Sequence, residues 1–203
     1  MTADEGYIKY VSDWTPGPDA DPAAATELEA WRRPLHDAGL VGYYADLGIG
    51  FGNISIRGNA ARQFIISGTQ TGHLQTTNGS HYALVTDYDI EKNRVSSTGP
   101  VEASSESLTH AAIYELDAAI NGVVHVHSKL LWSALLNQIP TTDASVAYGT
   151  PEMAREFARL CHETDFAETG IAVMAGHEEG IISIGASLQE AAMRVLRISQ
   201  PGD

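Results

Sequence analysis

The chain has 203 residues, enough for one well-buried domain and short for two. Hydrophobic side chains make up 43% and charged ones 19%, which excludes a chain too polar to form a core. Against 12 basic side chains stand 26 acidic ones, a formal net charge of −14 with no basic cluster, so no nucleic-acid partner is expected. A small anionic substrate is still compatible with this charge, because a pocket can be locally positive around a metal.

Residues 1–25 read as an N-terminal extension and linker. They begin with an acidic stretch that lacks an apolar signal core, continue through a strand-like piece at 7–11, and end in a Pro, Asp and Ala run at 16–25. Residues 26–203 read as one domain. A helical pattern covers 26–38, with Leu28, Trp31 and Leu35 on one face. The glycine-rich Gly48-Ile49-Gly50-Phe51-Gly52 then opens into alternating residues at 53–57, a half-buried strand. Its spacing differs from a dinucleotide-binding fingerprint, and it leads into a strand rather than a helix.

Further strands are expected at 63–67 and 82–87. Ser104-Ser105-Glu106 opens a helix whose apolar face carries Leu108, Ala112, Leu116 and Ile120. A strand at 122–127, a helix at 129–136 and a helix from Pro151 follow, the last containing the single cysteine, Cys161, which reads as a small core thiol. Strands at 171–175 and 181–184 form a hairpin around Gly176-His177-Glu178-Glu179-Gly180, and a final helix runs from after Ser187 to near Ile198. Strands interleaved with helices imply a mixed sheet covered by helices. No apolar run approaches the roughly 20 residues of a membrane span, and the chain reads as cytoplasmic and free of membrane contact.

The chemistry concentrates in His125-Val126-His127. On a strand, alternate side chains share a face, and two rises separate the Cα atoms by about 6.6 Å. Two ring nitrogens can then reach one ion at about 2.0–2.1 Å, with Val124 and Val126 filling the opposite face. The same pattern is compatible with two half-exposed histidines that bind nothing. His177, between Gly176 and Gly180 at the hairpin tip, offers a third imidazole, although alone it reads equally as a surface loop residue. Three histidines with an open position are a catalytic zinc arrangement. Glu106, in the first turn of its helix, is the candidate acid/base, against the simpler reading of a carboxylate that favours a helix start.

Taken together, Ser104-Ser105-Glu106, His110, Tyr114 and His125-Val126-His127 resemble the class II aldolase/adducin family, with Gly52-Asn53-Ile54-Ser55 and Thr71-Gly72 upstream and His177 downstream in the family's order. The resemblance runs from about Trp31 to Leu196. It implies an α/β fold, a three-layer α/β/α sandwich with a central mixed, largely antiparallel sheet, assembled as a homotetramer. It implies zinc, or another divalent transition metal, on His125, His127 and His177, and Glu106 as acid/base. Gly52, Asn53, Thr71, Gly72, Ser104 and Ser105 would cradle a substrate phosphate, a task suited to backbone N–H groups, hydroxyls and a helix N-terminus.

The implied activity is lyase chemistry on a small hydroxylated carbonyl compound, a sugar phosphate, by aldol cleavage through an enediolate. Glutamate at 106 separates the chain from the family's epimerases, which carry aspartate there. The alternatives are a dehydratase acting on a ketose phosphate and a non-catalytic metal-binding sensor or scaffold. Glu178-Glu179 stand where the family usually has glycine and are expected to be solvated turn residues. Tyr43-Tyr44 lie in a lengthened loop and are expected to serve packing, while His110 could support the site from behind.

Overall fold

The computed structural model describes residues 6–200. The acidic start read at 1–5 and the last residues, 201–203, lie outside the described residues. In chain order the elements are β1 (Val11–Pro16), α1 (Pro22–Asp37), β2 (Gly42–Tyr44), β3 (Ile49–Phe51), β4 (Asn53–Arg57), β5 (Phe64–Ser67), β6 (Tyr82–Asp89) and β7 (Arg94–Gly99). They continue with α2 (Ser107–Leu116), β8 (Gly122–His127), α3 (Lys129–Leu135), α4 (Pro151–Glu163), α5 (Phe166–Thr169), β9 (Ile171–Val173), β10 (Gly180–Gly185) and α6 (Leu188–Ser199).

Eight strands form one sheet in the order β1-β7-β6-β5-β4-β8-β10-β9, and β2-β3 make a separate small hairpin. Within the large sheet β1 runs parallel to β7 and the remaining pairs are antiparallel. One face packs under α2, α4 and α5, where Leu108, Ile113, Phe157 and Phe166 meet Phe64, Val85, Val123 and Ile182. The other packs under α1 and α6, where Leu28, Leu35, Leu188 and Val195 meet Ile54, Val124, Val126 and Ile181. The result is the expected three-layer α/β/α sandwich around a mixed, largely antiparallel sheet.

Local sequence accounts for much of this. Helix α4 opens on Thr150, whose Oγ1 accepts from Met153 N at 3.3 Å, with Pro151 in its first turn. Met153, Phe157 and Leu160 then recur at helical spacing on the buried side. Burying a side chain such as Phe157 is worth roughly 1.5–3 kcal/mol. Helix α6 starts at Ser187 in the same way and packs close to the start of β8, where a Cβ on Gly122 would run into the backbone of Leu188.

The chain departs from expectation mainly near its start. The strand lies at 11–16 rather than 7–11, and α1 begins at Pro22, inside the stretch read as linker. Asp21 caps that helix by accepting from Ala23 N and Ala24 N at 3.0 and 3.1 Å, which explains how a Pro-rich run becomes a helix start. β1 is a polar edge strand held by register with β7, by Trp14 Nε1 donating to Gly99 O and by an Arg94–Asp13 ion pair. β7 itself was not expected, because Val95 is the one strongly apolar residue in Arg94–Gly99. Among the described residues no helix is long and apolar enough to cross a membrane.

Candidate metal centre

Strand β8 is the origin of the site. Val124 and Val126 join the core beneath α1 and α6, so His125 and His127 emerge together on the face of α2 and α4. Antiparallel β10 places Gly180 opposite His127 and Ile182 opposite His125. The turn from β9 into β10 therefore carries His177 over the end of β8. A Cβ on Gly176 would strike Val146 O, and one on Gly180 would crowd His177 O at 2.9 Å. Those glycines let the turn close on the imidazoles.

The three histidines expected as ligands stand together. All are buried, their ligand nitrogens lie within 4.8 Å of one another, and their ring centroids are 4.8 to 5.0 Å apart. His125 Nε2 and His127 Nε2 face each other at 3.1 Å. That is close to the edge of about 3.3 Å in a tetrahedron built on metal–nitrogen bonds of about 2.0–2.1 Å. His125 Nδ1 lies 3.3 Å from Ile181 O, which only accepts, so the ring donates there and keeps its Nε2 lone pair for the centre. Burial first, then the neighbouring imidazoles, hold His127 well below the ordinary histidine range, the neutral form that a metal requires.

Glu106 occupies the N-cap position of α2, yet its side chain makes no capping bond. A capping bond therefore does not account for this carboxylate. It is 2% exposed, its Oε1 lies 3.3 Å from His177 Nδ1, and neither oxygen has a partner that meets hydrogen-bond geometry. Burial pushes its pKa up, but the His177 contact and the charges of His125 and His177 outweigh burial and bring it down to about 2. A buried carboxylate 3.3 Å from one of three clustered imidazoles is costly unless a cation completes the group. The donor set fits a divalent metal.

The residues expected to cradle an anion also converge. Gly52, Asn53, Thr71, Gly72, Ser104 and Ser105 line one cavity with Glu106 and His125. Asn53 starts β4 directly opposite His125. Asn53 Oδ1 is buried without a hydrogen-bond partner. The cavity volume is about 20 Å³, and Gly6 also borders it. A Cβ on Gly72 would run into Gly42 O, so glycine there is what lets the hairpin β2–β3 lie against this loop.

Several contributors escaped sequence reasoning. Arg32 is fully buried on α1 and donates through Nη2 to Thr71 O at 2.9 Å and Gly72 O at 3.4 Å. It puts a cation behind a cradle whose lining contains no Lys or Arg. The available signal was a charge on the helix's apolar stripe, between Leu28 and Leu35. Tyr148 stacks on His177 at 4.4 Å, and Phe51 on His127 at 5.4 Å. His110 reaches Ser55 rather than a candidate ligand. Its Nδ1 is 2.7 Å from Ser55 Oγ, which also meets Tyr114 Oη at 2.8 Å. Burial pushes the His110 pKa down to about 3, leaving it neutral.

Two expectations need correction. Glu178 is exposed, 3.8 Å from Lys129, but Glu179 is buried and turns inward, because its backbone adopts φ +72°. Tyr44 does more than pack: its hydroxyl lies 2.6 Å from Glu179 Oε2 and 3.1 Å from His127 Nδ1.

This sheet order, with three convergent imidazoles at the end of β8 that could hold a metal ion, defines an α/β/α domain with a candidate metal centre. The chain belongs to the class II aldolase and adducin N-terminal domain family, whose model matches residues 33–200. Comparison with curated protein sequences finds no match. Among solved structures, YgbL of Klebsiella pneumoniae aligns at 18% identity and TM-score 0.65, covering 87% of this chain and 85% of that one. An L-fuculose 1-phosphate aldolase aligns at 15% and 0.63, covering 89% and 85%. A sugar-phosphate aldolase from Thermotoga maritima aligns at 16% and 0.59, covering 86% and 91%. At such identities these likenesses speak for the fold.

Proposed function

We propose that the protein is a metal-dependent lyase that cleaves a small hydroxylated carbonyl compound, a sugar phosphate, by an aldol reaction. The observation that carries the reading is the cluster of three buried imidazoles with the buried, uncapped Glu106 carboxylate 3.3 Å from one of them, His177. His125, His127 and His177 would hold the metal, which we take to be zinc from the all-nitrogen donor set. Bound there, a divalent metal supplies Lewis-acid stabilisation for negative charge developing on a substrate carbonyl.

The chain's own groups do the rest. Glu106 takes a proton from the substrate hydroxyl and returns one to the carbanionic carbon after the carbon–carbon bond breaks. Asn53, Thr71, Ser104 and Ser105, with Gly52 and Gly72, hold the phosphate. The N-terminus of α2 and the Arg32 charge behind the loop favour an anion at that place. The low exposure of all four central side chains keeps water from the reacting atoms. A homotetramer working in the cytoplasm completes the reading; Leu130 at 80% exposure and Leu47 at 50% offer apolar surface for subunit contact.

Metal analysis of the purified protein and of a His125→Ala/His127→Ala variant tests the first part. Stoichiometric zinc is expected in the former and little in the latter; equally negligible metal in both would remove the proposal's basis. Screening sugar phosphates for cleavage and dehydration tests the second part, with Glu106→Gln expected to lower turnover by about 10²–10⁴-fold. Dehydration without cleavage would move the chain to the dehydratase branch. No turnover on any sugar phosphate, with metal retained, would leave the sensor or scaffold reading in its place.

A further inference from the structure

We propose that Tyr44 and Glu179 form a relay that holds His127 as its Nδ1–H tautomer and so aims its Nε2 lone pair at the metal position. The inference rests on the metal reading above. Its basis is donor and acceptor accounting. Glu179 Oε2 lies 2.6 Å from Tyr44 Oη, and a carboxylate only accepts, so the tyrosine hydrogen points to Glu179. Tyr44 Oη also lies 3.1 Å from His127 Nδ1. With its one hydrogen already engaged, the hydroxyl oxygen accepts from Nδ1–H. The His127 proton is thereby fixed on the nitrogen away from the centre, and Nε2 is left as an acceptor facing His125 Nε2 at 3.1 Å.

The surroundings are built to keep the relay in place. Glu179 adopts φ +72°, a left-handed backbone that side-chain-bearing residues avoid, and this aims its carboxylate inward while Glu178 stays exposed. Ser128 N donates to Glu179 O at 3.0 Å, tying the turn to the residue that follows His127. Phe51 stacks on His127 at 5.4 Å and meets Tyr44 in a tilted contact at 4.4 Å, so the two rings share one wall. Tyr44 and Glu179 touch no reacting atom in this arrangement. They are positioning residues that act through His127, as outer partners of metal-binding histidines commonly do.

Long-range 1H–15N NMR of metal-free protein labelled at histidine reads the tautomer directly, and chelator competition reads zinc affinity. The wild-type protein is expected to show His127 as Nδ1–H, and Tyr44→Phe to show a mixture. Zinc affinity is expected to fall about 10–100-fold in Tyr44→Phe and in Glu179→Gly, while Glu178→Gln stays within twofold. Glu179→Gly also relieves the left-handed backbone, so its thermal midpoint should not fall as its affinity does. A purely structural pair would lower both together. An Nε2–H tautomer in the wild type, or zinc affinities of Tyr44→Phe and Glu179→Gly within twofold of the wild type, would overturn the relay and leave the metal reading standing. A wild-type protein that takes up no zinc would sink the metal reading itself and the relay's purpose with it. Should Tyr44→Phe fail to fold, the wild-type tautomer and Glu179→Gly decide the matter.

Discussion

Replacing Asn53 by leucine separates stability from binding more cleanly than removing a ligand would. Asn53 is 6% exposed at the start of β4, and its Oδ1 is buried without a partner. An unsatisfied buried polar atom costs roughly 1–3 kcal/mol, which a leucine of similar shape does not incur. The main-chain ladder to His125 is untouched by the change. Asn53→Leu is therefore expected to raise the stability of the ligand-free protein by an amount in that range. At about 2–4 °C per kcal/mol for a chain of this length, the thermal midpoint rises by a few degrees.

Binding should move the other way. If the carboxamide contacts the bound anion, a hydrogen bond to a charged group worth about 1.5–3 kcal/mol disappears, a loss of about 10–100-fold in affinity. Thermal unfolding by circular dichroism and calorimetric titration with a sugar phosphate measure the two effects, with zinc content as a check that the centre is intact. A lower midpoint together with unchanged affinity would refute the reasoning, because Asn53 would then be a packing residue whose amide is satisfied in solution.

Arg32→Met keeps the stem of the side chain and removes the charge and the bonds to Thr71 O and Gly72 O. Inorganic phosphate should bind about 10–100-fold more weakly by calorimetry, and equal affinity would show that the guanidinium neither holds the loop nor attracts the anion. His110 sets an acid limit on the metal-free protein, since burial depresses its folded-state pKa to about 3 while the unfolded chain titrates near 6.5. Both states are neutral above pH 6.5. Between about 6.5 and 3 only the unfolded chain takes up this proton, so stability falls by about 1.4 kcal/mol per pH unit as pH drops. Denaturant titrations across this window should give a shallower pH dependence for His110→Asn, and the same slope in both proteins would rule out a buried neutral imidazole.

How much of this was legible in the sequence depended on whether the information was local. Caps and periodicities lay within a few residues of one another, so α4, α6 and β8 stood close to where the patterns put them. β1 and β7 were obscure for the opposite reason. Their pairing is parallel and joins residues more than 80 positions apart, as in Val11 with Arg94, and neither strand carries the apolar alternation of a half-buried strand. The N-terminal stretch read as linker hid a helix start, because Pro22 looks like a breaker until Asp21 is recognised as its cap.

At the site the division is similar. The imidazole pair on β8 follows from a period of two, which sequence displays openly. The inward turn of Glu179 does not, because nothing in Glu178-Glu179 says which carboxylate faces the core. That choice is made by a backbone angle at φ +72° and by the bond from Ser128 N, both products of the hairpin packing on β8. A residue type that costs backbone strain at such an angle, where Gly180 follows at once, persists when its side chain has a partner that glycine could not supply. Tyr44, drawn from the distant hairpin β2–β3, is that partner. The lengthened loop at 43–50 and the acidic turn, two departures that looked unrelated along the chain, thus meet at the Tyr44 hydroxyl, beside the outer nitrogen of His127.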